Sequence, residues 1–181
     1  MTSRIVDCGL RTGLRAGLRI GLVLALAAGV ARAETIDRVL AVASGQLITL
    51  TDVTAATELG LQSADGAADR TRAVLSKLID RELALAEVDR YAPSEPTAGA
   101  VDREVERVRQ RFASPAAFEA ALARSGIDEK HLRETLRQDL RLRAYLDQRF
   151  SVAARRVSLV NEWLAGLRRR GGVVDLYLAG R

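Results

Sequence analysis

His131 is the only histidine in the sequence, which rules out a metal site built on a histidine cluster. Asp128-x-x-His131 has the spacing to orient an imidazole, but no nucleophile motif accompanies it. A histidine in the first turn of a helix is the plainer reading. Cys8 is the only cysteine and falls in a segment read below as removed, so no thiolate zinc site is expected. Gly171-Gly172 follows a helical pattern instead of opening one, unlike a phosphate-cradling loop. Acidic residues are numerous, yet they stand three or four positions from arginines, Glu104 from Arg107 and Asp139 from Arg143. That spacing describes a solvated helix surface. Two carboxylates meeting in space as a glycosidase pair stay open at this level. No catalytic, cofactor-binding or metal-ligating residue is therefore assigned, and no cofactor is expected.

Binding chemistry remains. Seven aromatic residues follow position 33: Tyr91, Phe112, Phe118, Tyr145, Phe150, Trp163 and Tyr177. Most fit core positions. Trp163 lies off the helical seam Val157, Val160, Leu164, Leu167 and four residues after Leu159. This second apolar stripe either broadens a core contact or lines a groove for an extended guest. Leu159, Trp163, Tyr145 and Phe150 are the candidate peptide-binding residues.

The elements that must position them are mostly helices. Ile36 to Ala43 and Gln46 to Leu50 are short apolar, β-branched runs around Ser44-Gly45, the pattern of a hairpin. Thr51-Asp52 offers an N-cap and a first-turn acid for a helix over 53–61. Residues 62–69 read as a polar linker. Leu75, Leu78, Ile79, Leu83 and Ala86 share one face of a helix over 69–90, broken by Pro93 and Pro96. Val101, Val105, Val108 and Phe112 line an amphipathic helix. Ser114-Pro115 starts a short helix with Phe118, Ala121 and Leu122 inward, and Gly126 ends it. Asp128 caps the longest helix, to about Phe150, with Ile127 placed to pack on Leu132 as a staple. A last helix stops at Gly171-Gly172, and Val173 to Leu178 reads as a strand. A lone strand needs a partner, so it is expected to pair with the N-terminal hairpin. The fold class is mostly α, a small helical domain with an N-terminal β-hairpin paired to a short C-terminal strand.

Residues 1–33 read as a secretory signal. Arg4, Arg11, Arg15 and Arg19 precede the uncharged run Ile20 to Ala31, and Ala31-Arg32-Ala33 supplies a small-x-small site. The apolar run is too short to span a bilayer, so cleavage between Ala33 and Glu34 and a periplasmic, unanchored product are expected. The glycine repeat Gly9, Gly13, Gly17, Gly21 is interrupted by arginines and is not a transmembrane dimer motif. The whole chain holds 28 basic and 23 acidic residues, of which residues 1–33 hold five arginines and Asp7. Residues 34–181 therefore carry 23 basic and 22 acidic groups, nearly neutral and interspersed, which argues against nucleic acid as a partner. Arg168-Arg169-Arg170 sits at a helix end, where cations complement the dipole.

The order of segments resembles a known family. IDRVLAVASGQLITLTDV, KLIDRELALAEVDRYA, VDREVERVRQRF, SPAAFEAALARSGID and LRETLRQDLRLRAYLDQRF follow one another as in the N-terminal domain of SurA-type periplasmic chaperones. The hairpin leading into a helix and the run Phe112, Ser114, Pro115, Phe118, Leu122, Gly126 are its most specific parts. Residues 156–178 resemble the family's returning C-terminal helix and strand, so 34–181 would be a single SurA N-terminal-like domain. The family's parvulin isomerase domains lie between these parts, whereas here only a few residues separate Phe150 from Val157. The resemblance thus implies chaperone-like binding of unfolded polypeptide, such as outer-membrane protein precursors, without isomerase activity. The alternative is a structural or assembly protein with one envelope partner or a second copy of itself.

Overall fold

The computed structural model describes residues 37–91, 93–151 and 155–177. In chain order they form β1 (Val39–Ala43), β2 (Gln46–Thr49), α1 (Leu50–Glu58), α2 (Arg70–Tyr91), α3 (Ala98–Arg109), α4 (Pro115–Ser125), α5 (Glu129–Arg149), α6 (Arg156–Arg170) and β3 (Val174–Asp175). The protein is mostly helical with a small antiparallel sheet, as the periodicity predicts.

Ser44 and Gly45 both take positive φ, 51° and 82°. A type I′ turn needs this at both central residues, and its twist suits a two-residue hairpin. Ala43 then faces Gln46, and Val42 faces Leu47. β3 pairs antiparallel with the other side of β1, giving the order β2-β1-β3. The C-terminal strand does return to the hairpin. It is shorter than its composition predicts, because the Tyr177 amide donates to the Asp175 side chain at 3.1 Å and turns the chain. Leu176 still donates to the Leu40 carbonyl at 2.9 Å. Leu178, Ile36 and the whole of residues 1–33, with the Ala33/Glu34 cleavage site, lie outside the described residues.

The first helix corrects the expected cap. Thr49, not Thr51, is the N-cap: its hydroxyl accepts from the Asp52 amide at 3.3 Å, and the Asp52 carboxylate accepts from the Thr49 amide at 2.8 Å. The reciprocal capping box requires the acid three residues after the cap, which selects Thr49 and starts the helix three residues before the expected Val53. α1 ends at Glu58, earlier than expected, where Gly60 turns with φ 64°. The other caps follow the sequence: Ser114 accepts from the Ala117 amide, Gly126 adopts the left-handed conformation, and Asp128 accepts from the His131 amide at 2.7 Å. The linker over 62–69 is pinned by Lys77, whose ammonium donates to the Ser63 carbonyl at 2.8 Å and pairs with Asp65.

Two apolar cores result. The first joins the sheet to α1, α2 and α6 through Leu40, Ile48, Val53, Leu75, Leu83 and Leu167. The second joins the end of α1 to α3, α4 and α5 around Phe118, with Leu59, Val105, Leu122 and Leu132, and Ile127 packs against it. Phe118 and Leu132 have no exposed surface.

α6 corrects the expected seam. Val157 is 75% exposed, whereas Trp163, Leu164 and Leu167 pack on the first core. Val157 is seven residues before Leu164 and so shares its face of the helix, but it stands in the first turn of α6, beyond the first core. The end of α6 is locked closely: a Cβ on Gly171 would lie 2.2 Å from Leu83 Cδ2. The Gly171 carbonyl also accepts from the Ser44 amide at 3.3 Å, tying α6 to the hairpin turn.

Candidate functional site

The predicted aromatic residues meet where the ends of α2 and α5 approach α6. Tyr145 and Trp163 have ring centroids 6.0 Å apart, and Phe150 lies 5.7 Å from Trp163. Tyr91, which sequence reasoning left out, adds a fourth ring 5.5 Å from Tyr145 and is 59% exposed. The Arg149 guanidinium stands 5.9 Å from the Tyr145 centroid and 5.6 Å from that of Phe150, within cation–π range. Leu159 is not part of the ring cluster. It lies one turn before Trp163 on α6, 36% exposed, with Val157 beyond it. Of the four candidate residues the structure therefore gathers three and leaves Leu159 at the margin.

Tyr145 is itself buried among these rings. Burial raises its pKa above the usual phenol value.

A cleft away from these rings was not anticipated from the sequence. A cleft of about 260 Å³ lies between β2, α1, α2 and α5. Its apolar lining includes Ile48, Ala56, Leu78 and Ile127, and its polar lining includes Asp52, Arg81, Glu82, Glu134 and Asp139. Arg81 is the centre: it donates to Asp139 at 2.6 Å, Glu82 at 2.6 Å, Gln138 at 3.0 Å and the Thr135 carbonyl at 3.2 Å. Burial raises the Glu82 pKa in spite of Arg81, while the Arg137 hydrogen bond lowers that of Glu134. His131 is exposed at the rim.

The expected pairing of Asp139 with Arg143 is replaced. Asp139 serves Arg81, and Arg143 reaches Glu104 at 3.3 Å, alongside the expected Arg107. Interhelical partners win because Arg81 is largely buried and its charge must be answered there. One legible sign of the cleft was present: Leu75, Leu78, Glu82 and Leu85 are spaced by three, four and three, which puts a carboxylate on an otherwise apolar stripe. Arg168, expected at a helix end, pairs with Asp80 and donates to the Ser76 carbonyl at 3.0 Å.

Among the described residues no group of three or more histidine, cysteine, aspartate or glutamate side chains is arranged to hold a metal ion. No helix among them is long and apolar enough to cross a membrane. No protein-family model matches this chain, and no curated protein matches it.

Proposed function

We propose that this protein is an exported, non-catalytic module that holds unfolded or extended polypeptide, in the manner of SurA-type N-terminal domains, with outer-membrane protein precursors as a client class. The observation that carries the reading is the aromatic face: Tyr145, Phe150 and Trp163 in ring contact, bordered by exposed Tyr91 and by Leu159 one turn before Trp163. Apolar side chains left in water beside a half-buried indole suit a sequence-tolerant guest. The signal-like residues 1–33 support a periplasmic setting, and the order of sequence segments supports the family resemblance. A test is suppression of aggregation of a refolding outer-membrane protein by the purified protein and by a Leu159→Asp variant. Leu159 is exposed on α6, so the variant should fold normally while losing most of the suppression. Equal suppression by both proteins would remove the face from the account, and none by either would remove the chaperone reading.

A second reading, a structural protein that pairs with a further copy or one envelope partner, is favoured by β3. Val174 is 52% and Leu176 38% exposed at that edge of the sheet. Light scattering distinguishes it: a stable dimer with no aggregation suppression would favour this reading.

A further inference from the structure

The cleft beside β2 combines three features that no part of the aromatic face requires. The first is an open sheet edge. Among the described residues β2 is the terminal strand of the order β2-β1-β3. In a two-residue hairpin the pair flanking the turn, Ala43 and Gln46, exchanges the hydrogen bonds, and the next pair does not. The backbone N–H and C=O of Leu47 therefore point away from β1, and its side chain is 61% exposed.

The second is charge. Asp52, Glu82, Glu134 and Asp139 line the cleft, and Arg81 is the one guanidinium in its lining. Arg81 spends its donors on Glu82 and Asp139 together, and Glu134 is answered from outside by Arg137 at 2.6 Å. The Asp52 carboxylate is held by the Thr49 amide and hydroxyl, at 2.8 and 2.9 Å, without a cation. Four carboxylates thus share the cleft with Arg81, while Arg137 and Arg141 act on Glu134 from outside its lining. The third is an apolar lining, from Ile48, Ala56, Leu78 and Ile127, that shares the cleft with these acids.

An aliphatic stem ending in a cation matches a cleft lined by both apolar groups and carboxylates, and a strand edge recognises main chain. We propose that this cleft is a second polypeptide site, which takes an extended segment along β2 and receives a lysine or arginine side chain between α1, α2 and α5. The inference stands on a different surface from the aromatic face and does not depend on it.

The probes are three fluorescent peptides of alternating valine and threonine, with a central lysine, glutamate or norleucine. Their anisotropy is followed on adding the purified protein. The lysine peptide should bind most tightly, and added salt should weaken it. Glu82→Gln should lower its affinity roughly tenfold, the scale of one lost charge-assisted contact. Leu47→Pro removes the outward N–H at an exposed edge position where proline is tolerated, and should weaken all three peptides. If Glu82→Gln misfolds by circular dichroism, Leu47→Pro decides the site. Equal binding of the lysine and norleucine peptides, indifference to Leu47→Pro, or no binding of the lysine peptide would each overturn the proposal.

Discussion

Replacing Gly171 with alanine should destabilise the protein, although the same exchange at an unhindered site would stabilise it. Gly171 has φ −86° and ψ 9°, which alanine adopts freely. On backbone entropy alone Gly→Ala would therefore add about 0.4–1 kcal/mol. The structure opposes this, since the new Cβ would lie 2.2 Å from Leu83 Cδ2 and 2.8 Å from the Leu167 carbonyl oxygen. Leu83 is 2% exposed and Leu167 7%, so neither can move without disturbing the first core. Forcing an extra methyl into such a site costs about 1–3 kcal/mol. The net expectation is a loss of roughly 1–2 kcal/mol after the entropy gain is subtracted. With a urea m-value of about 1–3 kcal/mol/M, the midpoint should fall by roughly 0.5–1 M. Urea unfolding followed by far-ultraviolet circular dichroism and Trp163 emission measures it. Leu83→Ala removes the nearer obstacle, so Gly171→Ala should cost less than half as much in that background, a coupling read from a double-mutant cycle. An unchanged or raised midpoint for Gly171→Ala would refute the close seating of α6 against α2.

Three further outcomes follow from the same contacts. Thr49→Val deletes the α1 capping hydroxyl and should cost about 1 kcal/mol by urea unfolding; no loss would return the cap to Thr51. Asp139→Ala leaves the largely buried Arg81 with Glu82, Gln138 and a carbonyl, and should cost about 2 kcal/mol; a neutral result would mean that the Arg81 network contributes nothing. Glu82→Gln tests the pH dependence. Burial raises the folded-state Glu82 pKa above 4.5, so its contribution is fully present below 4.5 and is lost as pH rises through the folded value. Glutamine cannot ionise, so the variant should gain stability relative to the parent as pH rises from 4 to 7, and a constant difference across that range would contradict it.

Local chemistry made much of this fold legible. Ser114-Pro115, Gly126 and Asp128 punctuate the helices because each has one strong backbone role. Ser44-Gly45 did the same for the hairpin, and the need of a lone strand for a partner placed β3 on β1. Thr49 was missed because two threonines precede Asp52, and only the reciprocal bond to the third helical residue distinguishes them. Val157 was misplaced because it shares a face with the inward Leu164, yet periodicity does not tell that the first turn of α6 runs past the core; the rings of Tyr145 and Phe150 that meet Trp163 are distant from it in sequence. The same distance hid Tyr91 from the aromatic face. The cleft was hidden for a related reason: Arg81 and Asp139 are 58 residues apart, and their pairing depends on how α2 packs on α5.

The central claim is that the aromatic face of α6 holds unfolded chain, and Trp163, the sole tryptophan, reports on it directly. The purified protein is titrated with an outer-membrane protein kept unfolded and lacking tryptophan, while Trp163 emission is followed. The account predicts a saturable blue shift as guest side chains cover the indole, reduced by Leu159→Asp. Emission that stays constant while no complex forms would contradict it.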